Sequence, residues 1–203
     1  MKDLIILSVP DSDLNEYFEK CRSHLELFIS RKSLKINIHG EHGTFTQETL
    51  EEKIQCFTDR YALIIYAHGT ESSVRDKNGI EILHESQAHM LSNSLVYSTA
   101  CSNASSLGFH LSNYGCKLFF GYLGKAYVPL DMDILIEKIF IETDNFAMIQ
   151  ILMGEVNCQK LATDTENFFK QKYNEIKYDY PDDAAWLMHN KESVRFYQNR
   201  AEC

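Results

Sequence analysis

The chain predicts an α/β fold, a three-layer α/β/α sandwich around a mostly parallel central sheet with helical additions at its C-terminal end. Three observations lead there. Short apolar runs alternate with segments of helical periodicity up to residue 122, which is the pattern of βαβ units. The run Tyr-Ala-Leu-Ile-Ile-Tyr-Ala (61–67) is apolar on both faces, as a central strand of a parallel sheet is. From residue 131 onward the apolar spacing is helical. No internal repeat or flexible linker divides the 203 residues, so 1–203 reads as a single domain.

The elements follow in order. Residues 4–9 are largely apolar; Ser8 breaks the run and Pro10 stops it, with no small-residue cleavage site behind, so a first strand is a better reading than a signal peptide. Asp11, Ser12 and Asp13 offer N-cap chemistry. Leu14, Phe18, Cys21, Leu25 and Phe28 then recur at helical spacing, which puts Cys21 in the core. Residues 34–38 alternate as a half-exposed strand, and 39–46 read as a loop with two glycines. Thr46 caps a helix striped by Leu50, Ile54 and Phe57. The strand 61–67 ends at His68, Gly69 and Thr70. A polar stretch follows to Asn78-Gly79, a hairpin turn signal, with a short strand at 80–83 and a helical turn or two at 85–91. Residues 94–100 form a second central strand ending at Cys101. A helix over 103–114 turns Ala104, Leu107 and Leu111 inward and stops at Gly115, and 117–122 is the next strand. Leu135, Ile136, Ile139 and Phe140 mark one helix, Asp144 caps a second over 145–153, and a third spans 157–177. A short helix at 184–189 and a final strand at 193–197 complete the chain.

Composition narrows the function. Hydrophobic residues are 44% and charged residues 24%, values of a protein with a real core rather than a disordered one. A net charge of −9 disfavours nucleic acid and anionic membrane surfaces as partners. No stretch reaches the ~20 apolar residues of a membrane span. The six cysteines are scattered and form no C-x-x-C, so reduced thiols in a cytoplasmic protein are expected, without a structural zinc. Neither a metal nor an organic cofactor is called for. His39 and His42 lack a third ligand and read as a solvated loop, and His84 and His89 as surface residues. Gly121 and Gly124 read as a turn and not as a phosphate loop. Cys21, Cys56, Cys116 and Cys158 read as inert packing.

Two central strands each end in a reactive side chain, His68 and Cys101, 33 residues apart with room for one crossover. If the strands are parallel neighbours, both residues emerge on one edge of the sheet, and strands lie only ~4.8 Å apart. A thiol beside an imidazole is a nucleophile with a proton shuttle. A helix starting at Asn103 would stabilise the thiolate with its positive end. Gly69 can offer an unobstructed backbone N–H to an oxyanion, and the N–H of Cys101 is a second donor.

At these residues the chain resembles a known group. Leu-Ile-Ile-Tyr-Ala-His-Gly (63–69) followed by Leu-Val-Tyr-Ser-Thr-Ala-Cys-Ser (95–102) is similar to the paired motifs of caspase-like cysteine peptidases, in which one hydrophobic strand ends in His-Gly and another in Ala-Cys. The flavour is that of the CHAT branch, bacterial caspase relatives found in defence or regulated-proteolysis systems, and the hairpin around Asn78-Gly79 fits that branch. The motif resemblance covers about residues 61–108; the tail around 184–190 and 195–197 fits more loosely. It implies a caspase–haemoglobinase-like fold, Cys101 as nucleophile, His68 as catalytic imidazole and Gly69 as oxyanion contributor. The chain departs from the caspase signature, having Thr-Ala-Cys-Ser-Asn at 99–103 and a shorter His-to-Cys gap. Thr99 stands where metacaspase relatives carry an acid two residues before the cysteine, so neither Asp nor Arg/Lys specificity is implied.

The expected function is a cysteine endopeptidase acting on a protein substrate through a thioester, with a regulatory protein partner. Asp131 and Asp133, in the loop after the third central strand, are expected to border the substrate cleft, although helix capping explains them as well. Arg75, Asp76 and Lys77 suggest a processing or gating loop over 71–77. The alternatives are an inactive caspase-like module that recruits a partner, and a flavodoxin-like sensor binding a small molecule at the strand ends, for which no phosphate-cradling motif is present.

Overall fold

The computed structural model describes residues 2–9, 11, 13–57, 60–128 and 133–199. Its centre is a six-stranded sheet in the order β2-β1-β3-β7-β8-β9. The strands are β1 (Asp3–Ser8), β2 (Asn37–His42), β3 (Tyr61–Tyr66), β7 (Leu95–Ser98), β8 (Leu118–Tyr122) and β9 (Val194–Gln198). The first five are parallel and β9 is antiparallel to β8. A second, three-stranded antiparallel sheet joins β4 (His68–Gly69), β5 (Ser73–Arg75) and β6 (Glu81–His84). Its hairpin turns where Asn78-Gly79 predicts it. Asp76 is buried there, its Oδ1 accepts the Asn78 and Ile80 amides, and Gly79 takes φ +83°.

Alternation along β1 and β3 divides the core. Leu4, Ile6, Ala62 and Ile64 face a layer built from α1 (Asn15–Arg31), α4 (Ile134–Leu152), α5 (Cys158–Ile176) and α6 (Pro181–Ser193). Ile5, Leu7, Leu63 and Ile65 face the opposite layer of α2 (Gln47–Gln55), a 3-10 helix (Glu85–Leu91) and α3 (Leu107–Asn113). Because both faces are covered, the central strands are buried on both sides and largely apolar. The result is the three-layer α/β/α sandwich with helical C-terminal additions.

Four local expectations change. β2 occupies part of the segment read as a loop. It is a mostly exposed edge strand, Asn-Ile-His-Gly-Glu-His, so no apolar alternation marks it, and its parallel ladder to β1 alone makes it a strand. Asp144 does not cap a second helix but lies inside the single helix α4. Its carboxylate is satisfied by tyrosine hydroxyls, from Tyr17 at 2.7 Å and Tyr122 at 2.7 Å, rather than by backbone amides. α6 is longer than the apolar spacing indicates, starting at Pro181 with Asp182 and Asp183 in its first turn. α3 begins at Leu107 and not at Asn103.

Candidate active site

The sheet register brings the two reactive residues to one edge. β3 and β7 are adjacent and parallel, with Ile65 opposite Ser98. His68 and Cys101 each lie three residues beyond that pair. The chains stay together past the ladder, since Thr99 N–H donates to the Ile65 carbonyl at 3.2 Å. Gly69 then packs against the cysteine segment so closely that a Cβ there would stand 2.6 Å from the Cys101 carbonyl oxygen and 2.8 Å from the Ala100 Cβ. Only glycine fits.

Asn103, fully buried, explains why the chain after Cys101 is a turn rather than a helix. Its Nδ2 donates to Ser98 Oγ at 2.5 Å and its Oδ1 accepts the Tyr122 amide at 3.3 Å, stitching the end of β7 to the end of β8. Gly121 is the counterpart, since a Cβ there would meet Asn103 Oδ1 at 2.3 Å. Ser102 takes φ +60°, a left-handed conformation costing a non-glycine residue about 1 kcal/mol. Its amide is held by the Gly124 carbonyl at 2.8 Å. With α3 displaced to Leu107 and only seven residues long, no helix N-terminus sits at Cys101, so that expected source of thiolate stabilisation is absent.

A nearer donor takes its place. Cys101 is a free, half-buried thiol, and Ala126 N–H donates to its Sγ at 3.3 Å, with the Ala126 carbonyl 3.8 Å from the same sulfur. Ala126 follows β8 and lines a groove of about 270 Å³ together with Tyr127, Val128, His68, Asp11 and Leu14. The imidazole and the residue whose amide meets the sulfur therefore line one concavity.

Asp11, which sequence reasoning assigned only to a helix cap, reaches the candidate site. It follows β1, on the other side of β3 from β7. Its Oδ2 stands 2.8 Å from His68 Nε2, while its Oδ1 accepts the backbone amides of Asp13 and Leu14, both at 2.7 Å. The Asp11 side chain is 8% exposed and that of His68 40%. Burial alone would raise the Asp11 carboxyl, but the hydrogen bonds from His68, Leu14 and Asp13 outweigh it and hold the group below the usual carboxylate range. An acceptor-only carboxylate fixes the proton on Nε2, which leaves the Nδ1 lone pair as the base of the neutral ring. The pair sits between β1 and β3, where the strand order reverses direction, the position at which open α/β sheets form their ligand crevice.

Two backbone donors remain. Cys101 N–H makes no hydrogen bond among the described residues. Thr70 N–H bonds the Ser73 carbonyl at 2.8 Å, so by antiparallel alternation Gly69–Val74 is a non-hydrogen-bonded pair and the Gly69 N–H points away from β5. The buried Thr99 hydroxyl, two residues before Cys101, has no hydrogen-bond partner among the described residues.

The other predicted positions fall elsewhere. Asp133 caps α4 through the Leu135 amide at 2.7 Å, is exposed, and does not line the groove. Asp131 lies outside the described residues. His39 bonds Asp3 and His42 bonds Ser8 and Glu19. Among the described residues no three His, Cys, Asp or Glu side chains group as a metal site. Cys21 and Cys116 are buried, whereas Cys56 is exposed rather than packed. The 71–77 stretch is part of the small sheet, with Ser73, Val74 and Asp76 buried and Arg75 bound to Glu81 at 2.7 Å.

The chain superposes on gingipain R (RgpB), an Arg-specific cysteine proteinase, with a TM-score of 0.59 and 9% identity, over 97% of this chain and 46% of that one. The fold is caspase-like. The complex of Porphyromonas gingivalis RgpB pro- and mature domains matches with a TM-score of 0.56 and 11% identity, over 98% of this chain and 47% of that one. The caspase-like chain thus spans just under half the length of these neighbours. No family model matches the sequence, and no curated protein matches it significantly. At such identity the likeness concerns fold; chemistry has to be argued from the residues. Among the described residues no helix is long and apolar enough to cross a membrane.

Proposed function

We propose that the protein is a cysteine endopeptidase with Cys101 as nucleophile and His68 as general base, oriented by Asp11. The observation that carries this is the shared register: both residues stand three positions past the paired Ile65 and Ser98, with His68 Nε2 committed to Asp11. His68 Nδ1 takes the thiol proton and the thiolate attacks the peptide carbonyl carbon. The oxyanion is met by the N–H groups of Cys101 and Gly69. The C–N bond breaks, the amine leaves with the proton from the imidazolium, and water hydrolyses the thioester to a carboxylic acid and the free thiol. The caspase-like fold supports a protein substrate. The motif resemblance to the CHAT branch supports a role in regulated proteolysis or defence, and a regulatory partner is supported by that resemblance and by the neighbour's complex of pro- and mature domains.

Mapping of new N-termini in cells carrying the wild type or Cys101→Ala tests the proposal. Cuts present only with the wild type support it. Identical N-terminal profiles, with both proteins folded, would favour a non-catalytic caspase-like module.

A further inference from the structure

The sulfur of Cys101 is held by a loop that is itself held from behind. Residues 125–128 have no regular secondary structure, and Ala126 touches the sulfur. The next residue, Tyr127, is gripped by α6 at both backbone groups. Its N–H donates to Asn190 Oδ1 at 2.8 Å, and its carbonyl accepts from Asn190 Nδ2 at 2.7 Å. Asn190 is 1% exposed, so these two bonds form in a dry environment where leaving either group unpaired is costly. On the same helix Trp186 stacks on the Tyr127 ring, with centroids 4.2 Å apart and planes at 23°, and the His189 ring meets it edge-on at 4.8 Å. His189 Nε2 stands 3.0 Å from the Lys125 carbonyl. Three side chains of one helical turn thus take hold of Lys125 and Tyr127, the two neighbours of Ala126.

We propose that Asn190 is a positioning residue for the thiol. By fixing the Tyr127 backbone it aims the Ala126 N–H at Cys101 Sγ, supplying the donor that the displaced helix α3 does not. Trp186 and His189 restrict the same loop from its outer side. A donor to sulfur favours thiolate, which is the reactive form of cysteine. A bidentate amide grip suits this task, because it fixes both peptide planes that flank the Tyr127 Cα, while His189 at the Lys125 carbonyl holds the plane that carries the Ala126 N–H. The inference rests on the reading of Cys101 as the nucleophile, but its test reads the sulfur and the loop, not proteolysis.

The experiment measures alkylation of each cysteine by iodoacetamide with peptide-level mass spectrometry, beside hydrogen exchange of the peptides covering 125–128. In Asn190→Ala the loop amides should exchange at least tenfold faster and Cys101 should alkylate at least fivefold slower. Cys21 and Cys116, both buried, should stay protected as in the wild type; general loosening of the fold would expose them. If Cys21 and Cys116 do become reactive, Trp186→Ala decides. Trp186 is 42% exposed, and its removal leaves the Asn190 bonds in place, so a smaller change in the same direction is expected. Unchanged Cys101 alkylation in a folded variant would overturn the proposal. So would faster alkylation, since the loop would then be shielding the sulfur rather than activating it. Loss of proteolysis on Cys101→Ala, or its absence, leaves this outcome untouched.

Discussion

Replacing Asp144 by Asn should raise stability relative to the wild type as pH rises from acid to neutral. Asp144 is fully enclosed between α1, α4 and the sheet. Its Oδ2 accepts from Tyr17 and its Oδ1 from Tyr122, while the Tyr97 hydroxyl donates to its backbone carbonyl at 2.6 Å. Burial raises its carboxyl from 3.8 to about 6, against the opposing pull of the two tyrosine hydroxyls. The folded state thus binds this proton more tightly than the unfolded chain does. Stability from this source is fully present below 3.8 and declines as pH rises, levelling off above about 6. A shift of about two units costs on the order of 3 kcal/mol at pH 7, at 1.36 kcal/mol per unit. Asparagine keeps an acceptor for one tyrosine and carries no charge. Any pH-independent difference from the altered hydrogen bonds shifts the whole comparison by a constant. Urea unfolding of both proteins between pH 3.5 and 8 should show the variant gaining about 3 kcal/mol relative to the wild type across that range, worth roughly 6–12 °C in Tm for a chain of this size. A stability difference that stays flat from pH 3.5 to 8 would refute the reasoning, because Asp144 would then titrate as it does in the unfolded chain.

Other outcomes follow from the site. Asp11→Asn removes the carboxylate that fixes the His68 tautomer, and should lower kcat by about 10²-fold or more with KM nearly unchanged, measured on a peptide spanning a mapped cut. Gly69→Ala forces a methyl to within 2.6 Å of the Cys101 carbonyl; expected are a destabilisation of about 1–3 kcal/mol in thermal unfolding and a larger loss of activity, because the displaced backbone carries the proposed oxyanion donor. Native labelling with a thiol reagent should reach Cys56 and Cys101 and spare Cys21 and Cys116 until the protein unfolds, since burial pushes the Cys116 thiol up to about 12 and that of Cys21 upward as well. Labelling of Cys116 in the folded state would contradict the packing.

The sequence was most legible where one face or two faces of an element had to be apolar. Residues 61–67 and 94–100 announce central strands because both helical layers cover them, and His68 and Cys101 fall on one edge provided those strands are parallel neighbours, which the β3–β7 ladder supplies. Asp11 was half legible. Its position before a helical stripe reveals the capping oxygen, but the other oxygen meets a histidine 57 residues away, a contact set by the β1–β3 register. The false helix start at Asn103 has the same origin. Local chemistry offered a cap, and a tertiary bond to Tyr122 on the next strand took the side chain instead. Asp144 misled likewise, for an acid between two apolar stripes reads as a boundary unless the tyrosines that solvate it are known. The grip of Asn190 on Tyr127 spans 63 residues and leaves no pattern in either segment.

The most direct measurement is the second-order rate of iodoacetamide alkylation at Cys101, in the wild type and in His68→Ala, with the exposed Cys56 as internal reference. If imidazole and thiol work as a pair, the Cys101 rate at neutral pH falls at least tenfold in His68→Ala and the Cys56 rate does not move. Equal Cys101 rates in the two proteins would contradict the account, leaving two reactive side chains that share a rim without sharing a proton.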